Sequence, residues 1–261
     1  MKKAIVGLGL LVFMTLFVAC GNGTDNPQDV YEQAMEASSE LENFEMEMEM
    51  NQEIGIAQMD QPLTMNMKSS GKVQVEPQAI YQEMTLQGLM AGKQEVEMYY
   101  TDEGLYMKEG DQNWKKASEE MLKQLNQFSQ SQSSPREQLK QLEDYVDDMS
   151  MAEKEDHYEI TITSSGDNLK KLIVEQISQN NISGNEINEE MLENVNIKNV
   201  NIEFHVEKDT FYPLVYNLDM EIEEQQNEET SNVKVSIHST YSNFNEVGEI
   251  TVPDEVKKSA E

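Results

Sequence analysis

Cysteine is almost absent from this chain: Cys20 is the only one in 261 residues. That excludes a disulfide framework, a CxxC redox pair and a thiolate zinc site. Positive charge is scarce too. Nineteen Lys and Arg stand against 50 Asp and Glu, a formal charge of −31 at pH 7. So acidic a surface repels nucleic-acid phosphates and anionic headgroups, which excludes nucleic-acid binding and docking on acidic lipid. Apolar residues make up only 38%, below a typical globular domain, and Trp114 is the sole tryptophan. Methionine is the exception, with 18. The interior must therefore use Met heavily, a flexible and polarizable side chain that fills irregular space.

Catalytic patterns are missing as well. There is no GxSxG and no Gly-rich phosphate loop. The three histidines, His157, His205 and His238, fall in predicted strands without HxxxH or HExxH spacing, which argues against zinc. Asp102-Glu103-Gly104 is too short for a calcium loop. Among 50 acidic residues carboxylate pairs are inevitable, so none points to acid–base chemistry. The expectation is a non-enzyme with no cofactor, no catalytic residue and no metal.

One apolar run stands out, Ala4 to Ala19 behind Lys2 and Lys3. Its length and flanks suit a secretory signal; a spanning helix needs roughly 20 apolar residues. Phe17-Val18-Ala19-Cys20 resembles a bacterial lipobox, with Phe17 where Leu, Val or Ile is usual and Leu16 one residue upstream. The resemblance implies that residues 1–19 are cleaved and that Cys20 becomes the mature N-terminus, carrying diacylglycerol and palmitate. The alternatives are an ordinary signal peptide that contains a Cys, or an uncleaved anchor. One acyl chain anchors only marginally, whereas two hold stably. The expected location is extracytoplasmic, on the outer face of the cell membrane. Gly21 to Asp29 is polar with Gly and Pro, so residues 20–29 read as lipidated cysteine and flexible tether. Residues 30–261 read as a single domain.

Val30, Ala34, Ala37 and Leu41 recur at helical steps within Pro27 to Leu41, with Asn26 or Asp29 as cap. From Phe44 the period becomes two: Phe44, Met46, Met48 and Met50 alternate with Glu45, Glu47 and Glu49. Similar strands are predicted over 64–75 and 79–89, and a hairpin joins 96–101 to 105–108 around Gly104. Ser118 to Phe128 reads as a helix, followed by a Ser/Gln linker. Pro135 opens another, with Leu139, Leu142, Tyr145 and Val146 as its stripe. Strands follow over 149–154 and 157–164, then a helix over 166–179 and an ambiguous polar stretch over 182–193. Three long strands close the chain, over 195–207, 214–224 and 233–241. The order implies an α+β fold: one strongly curved antiparallel sheet whose polar face is solvated and whose other face packs on helices.

With the lipobox, several scattered segments resemble a family of uncharacterised Gram-positive lipoproteins with a LolA/LppX-like (outer-membrane lipoprotein carrier-like) fold. They are the Pro27-to-Leu41 helix before Phe44, Tyr99-Tyr100-Thr101 with Gly104-Leu105-Tyr106, Trp114-Lys115-Lys116, Lys208 to Tyr216 and Val252 to Val256. The resemblance implies a half β-barrel whose concave face holds helices and, in carrier members, a lipid or acyl chain. It brings no catalytic residues.

The Met stripe then has three readings: sheet core, an adaptable lining for acyl chains, or thioether ligation of Cu(I). Phe44, Met46, Met48, Met50, Met65, Met67, Met84, Tyr99 and Trp114 are the candidate lining of an apolar ligand cavity. Tyr81, Tyr99, Tyr100, Tyr106 and Trp114 are expected to form cross-strand pairs or a cavity mouth. The acidic blocks read as solvated faces. The leading expectation is a lipid-binding surface lipoprotein. The alternative is an interaction or sensor module with a filled core that binds a protein or envelope component.

Overall fold

The computed structural model of the protein describes residues 26–56, 59, 61–88, 92–118, 122, 134–164, 195–226 and 229–260. Outside these lie the expected signal peptide, Cys20 and most of the tether, most of the Ser/Gln linker and of the helix expected over Ser118 to Phe128, and the helix expected over 166–179. The polar stretch over 182–193 lies outside them too.

Alternation of apolar and polar residues dominates the described chain, and strands dominate the structure. Helix α1 spans Pro27–Ser39; Pro27 occupies its first turn, and the Asn26 side chain accepts a hydrogen bond from the Gln28 N–H at 3.0 Å. Six strands follow: β1 (Asn43–Ile56), β2 (Leu63–Gln74), β3 (Ala79–Gly88), β4 (Lys93–Thr101), β5 (Gly104–Glu109) and β6 (Lys115–Lys116). The β4–β5 turn is closed by Gly104 at φ +127°, a backbone angle that other residues rarely adopt.

Helix α2 (Pro135–Lys140) starts at a Ser134 cap and stops early, giving way to a 3₁₀ helix over Glu143–Asp148. A single helix carrying Leu139, Leu142, Tyr145 and Val146 is not what forms. Leu139, Leu142 and Tyr145 repeat at steps of three, the period at which 3₁₀ side chains align on one side. All three are buried. Strands β7 (Met149–Glu153), β8 (His157–Ser164), β9 (Val195–Glu207), β10 (Pro213–Gln226) and β11 (Glu229–Ser242) come next, then a short helix α3 (Asp254–Ser259).

The eleven strands make one open antiparallel sheet in the order β6-β5-β4-β3-β2-β1-β11-β10-β9-β8-β7. Two meanders, β1 to β6 and β7 to β11, are therefore joined by the pairing of first with last, running from Glu45 opposite Ser242 to Ile56 opposite Ser231. One face carries the main core. There α1 (Val30, Tyr31, Ala34), α2 (Leu139), Leu142 at the cap of the 3₁₀ segment and Tyr145 within it cover Phe44, Val73, Ile160, Ile162, Val200, Ile202, Phe204 and Val206. The Tyr31 hydroxyl donates to the Leu139 carbonyl at 3.0 Å and the Tyr241 hydroxyl to Gln138 Oε1 at 2.6 Å, fixing the helices to each other and to β11. On the other face a smaller cluster packs Val252 and Val256 against Tyr106, Tyr99 and Trp114.

Candidate functional site

Register decides which predicted residues meet. Met50 stands opposite Met67, Met67 opposite Leu86, Met48 opposite Ser69, and Ser69 opposite Met84. Since side chains alternate along a strand, Phe44, Met46, Met48, Met50, Met65, Met67 and Met84 share the helix-bearing face. They are not equivalent there. Phe44 is fully buried in the main core, edge-on to Tyr241 at 5.8 Å, and Met46 packs against that core. Met48, Met50, Met65, Met67 and Met84 are half-buried. Beside Phe44 lies a cavity of about 400 Å³ bounded by Leu41, Val73, Val75 and the first turn of α2.

Tyr99 and Trp114 do not join this group. Tyr99 pairs with Tyr81 on β3 and Tyr106 on β5, one residue out of phase with Val96 and Met98. It therefore projects from the polar face. There Tyr81 and Tyr99 lie 4.7 Å apart and Tyr99 and Trp114 5.5 Å apart, ring centre to ring centre, with Lys108 Nζ 5.8 Å from the indole. Val252 and Val256 pack on the same cluster. A single cavity lined by both sets is not possible, because the sheet separates them. Tyr100, next in sequence, belongs to the methionine face, opposite Ile80 and Leu105.

The polar face holds the larger depression, a cleft of about 580 Å³ lined by Glu47, Glu49, Glu83, Glu95, Glu97, Lys68, Lys108 and His238 among others. Cross-strand ion pairs organise it: Lys68 to Glu49 at 2.5 Å and Lys108 to Glu97 at 2.8 Å. The hydrogen bond and charge of Lys68 hold the Glu49 carboxyl below its usual range, and Lys93 does the same for Glu95. Glu97 in turn raises the pKa of Lys108. Burial, then the hydrogen bond to Glu83, pushes the Tyr81 phenol up.

Spacing along the chain did not bring out a second polar cluster. Pairing of β8 with β9 sets Glu159 opposite His205, and His157 stacks on His205 with ring centres 4.8 Å apart. The only signal in the sequence was strand alternation: His157 and Glu159 share a face two residues apart.

The class of protein the described residues define is an open antiparallel sheet with few helices, one face rich in Met and the other acidic. The chain belongs to the family of unknown function DUF6612, whose model matches residues 26–261. A crystal structure of a DUF1329 family protein from Desulfovibrio piger is similar over 88% of this chain and 96% of that one. At 13% identity and a TM-score of 0.24, that likeness carries no argument. No curated protein matches.

Proposed function

We propose that this protein is an extracytoplasmic lipoprotein, anchored through Cys20, that binds a lipid or another apolar ligand on the methionine face of its sheet. In this reading the sheet is a LolA/LppX-like half-barrel. The observation that carries it is the half-buried set Met48, Met50, Met65, Met67 and Met84, gathered on one sheet face beyond the sealed core. Flexible thioethers adapt to variable apolar shapes, and binding would draw mainly on buried apolar area, at about 25 cal/mol per Å². Such a site needs no catalytic group and no cofactor.

The test is native mass spectrometry of the full chain, exported in a Gram-positive host and extracted in mild detergent. An adduct of lipid mass, lost in Met65→Glu while circular dichroism stays unchanged, supports the reading. A clean mass with no uptake of offered phospholipid or fatty acid overturns it. Anchoring is tested separately: labelled fatty acid should enter the protein and fail to enter Cys20→Ala.

The charged cleft on the polar face favours a second reading, a surface module that recognises a protein or envelope component there. Clean mass spectra together with partner capture that depends on Glu49 and Glu97 would select it.

A further inference from the structure

His157, Glu159 and His205 lie on the polar face of β8 and β9, at the opposite end of the sheet from the aromatic cluster. One nitrogen of each imidazole and one Glu159 carboxylate oxygen all lie within 4.8 Å of one another. The orientation of each ring is set by a carboxylate. His157 Nδ1 is 2.6 Å from Asp156 Oδ1, and donating its proton there leaves Nε2 with a lone pair. That Nε2 is shielded from solvent, has no hydrogen-bond partner, and faces Glu159 Oε1 at 3.6 Å. A lone pair opposite a carboxylate oxygen is repelled unless a proton or a metal cation lies between them.

His205 repeats the arrangement. Its Nε2 is 2.9 Å from Glu203 Oε1, which also accepts from Asn217 Nδ2 at 3.0 Å. Donation to Glu203 leaves Nδ1 as the lone-pair nitrogen. Histidines that bind metals characteristically give their other N–H to a carboxylate, which orients the ring and raises its basicity. Lys154 holds Glu159 through Oε2 at 2.8 Å, so Oε1 is not the oxygen it occupies.

We infer that His157, Glu159 and His205 form a binding site for a divalent first-row transition ion, Zn²⁺ being the ion the donor set suits. Zinc–ligand bonds of about 2.0–2.2 Å put neighbouring donors of a tetrahedron roughly 3.3–3.6 Å apart. The Nε2–Oε1 distance of 3.6 Å already lies at that edge length, while the wider separations, within 4.8 Å, must close by side-chain rotation as the ion binds. Two imidazoles select against Mg²⁺ and Ca²⁺, which take oxygen ligands. Three protein ligands leave the fourth position to water or to a donor from a bound molecule. The ion pins β8 to β9, and this inference stands independently of the apolar-ligand reading.

The test is calorimetric titration of ZnCl₂ into the chelator-stripped full chain near neutral pH, with millimolar Ca²⁺ present to occupy surface carboxylates. One ion per chain is expected, with affinity lost in His157→Ala and His205→Ala. In Asp156→Asn all three ligands remain and the altered side chain is exposed, so the fold is kept. Affinity there should fall about 10–100-fold, as when an orienting carboxylate is lost. Absence of uptake, or uptake that Asp156→Asn and the His variants leave unchanged, overturns the site.

Discussion

On one face of the sheet, β8 and β9 present Ile160, Ile162, Val200, Ile202, Phe204 and Val206, all fully buried, whereas β1 to β3 present Met48, Met50, Met65, Met67 and Met84, all half-buried. The alternation is the same in both regions; the side chains differ. Branched Ile and Val have few rotamers and lock into a close-packed interior beneath α1, α2 and the 3₁₀ segment. Met has three rotatable bonds and tolerates a neighbour of indefinite shape. One sheet thus carries a rigid half and an adaptable half, and the contrast can be tested directly.

The largest effect is expected in the sealed half. Phe204→Ala should cost about 3–5 kcal/mol, read as a lower urea midpoint at unchanged slope. A cost under about 1 kcal/mol would mean that this half is not close-packed. High pH should act on the buried phenols next. Burial raises the pKa of Tyr216 from 10.0 to about 12, and burial, then the charge of Glu143, raises that of Tyr31 to about 12. Between those values the native state keeps protons that the unfolded chain releases. The stabilisation is therefore complete below about pH 10 and declines as pH rises toward about 12. For Tyr216 the loss is on the order of 2–3 kcal/mol, and Tyr216→Phe should flatten the slope of stability against pH.

Gly71, on β2 opposite Met46, tests the boundary between the halves. A Cβ there would sit 2.4 Å from the Tyr81 carbonyl oxygen and 3.1 Å from Gln82 Cα, both backbone atoms. Gly71→Ala should cost about 1–3 kcal/mol in chemical denaturation, because the backbone must shift. Within the adaptable half, Met67→Ala should cost only about 1 kcal/mol, the side chain being half-exposed, while lowering retained lipid in native mass spectra. A cost like that of Phe204→Ala would erase the contrast. The smallest effect belongs to the polar face. Lys68→Ala should leave the thermal midpoint unresolved from wild type in physiological salt. The depressed Glu49 pKa contributes stability above its unfolded value, and Lys68→Ala removes that contribution, which otherwise disappears as pH falls.

Strand positions were legible because alternation was clean. The expected span 64–75 became Leu63–Gln74, and 195–207 became β9 with the same bounds. The lining was legible only in part. The methionines share one parity along their strands, so a single face follows from the sequence. Tyr99 has the opposite parity to Val96 and Met98, so it lies across the sheet from the methionines. The His157–His205 stack was illegible by spacing, since the two residues meet through β8–β9 pairing across the sequence between them.

The sequence by itself determined the local periods, turns such as the one at Gly104, and the division into apolar and acidic faces, and it narrowed the α1 cap to Asn26 or Asp29. These depend on residues a few positions apart, where backbone geometry dictates direction. Only the tertiary structure decided that β1 pairs with β11 and that α1, α2 and the 3₁₀ segment pack on β8 and β9 and on Phe44 and Val73. The same long-range order brought two histidines and a glutamate to one point. Strand neighbours are chosen by burial summed over the whole sheet, and no local pattern encodes that choice.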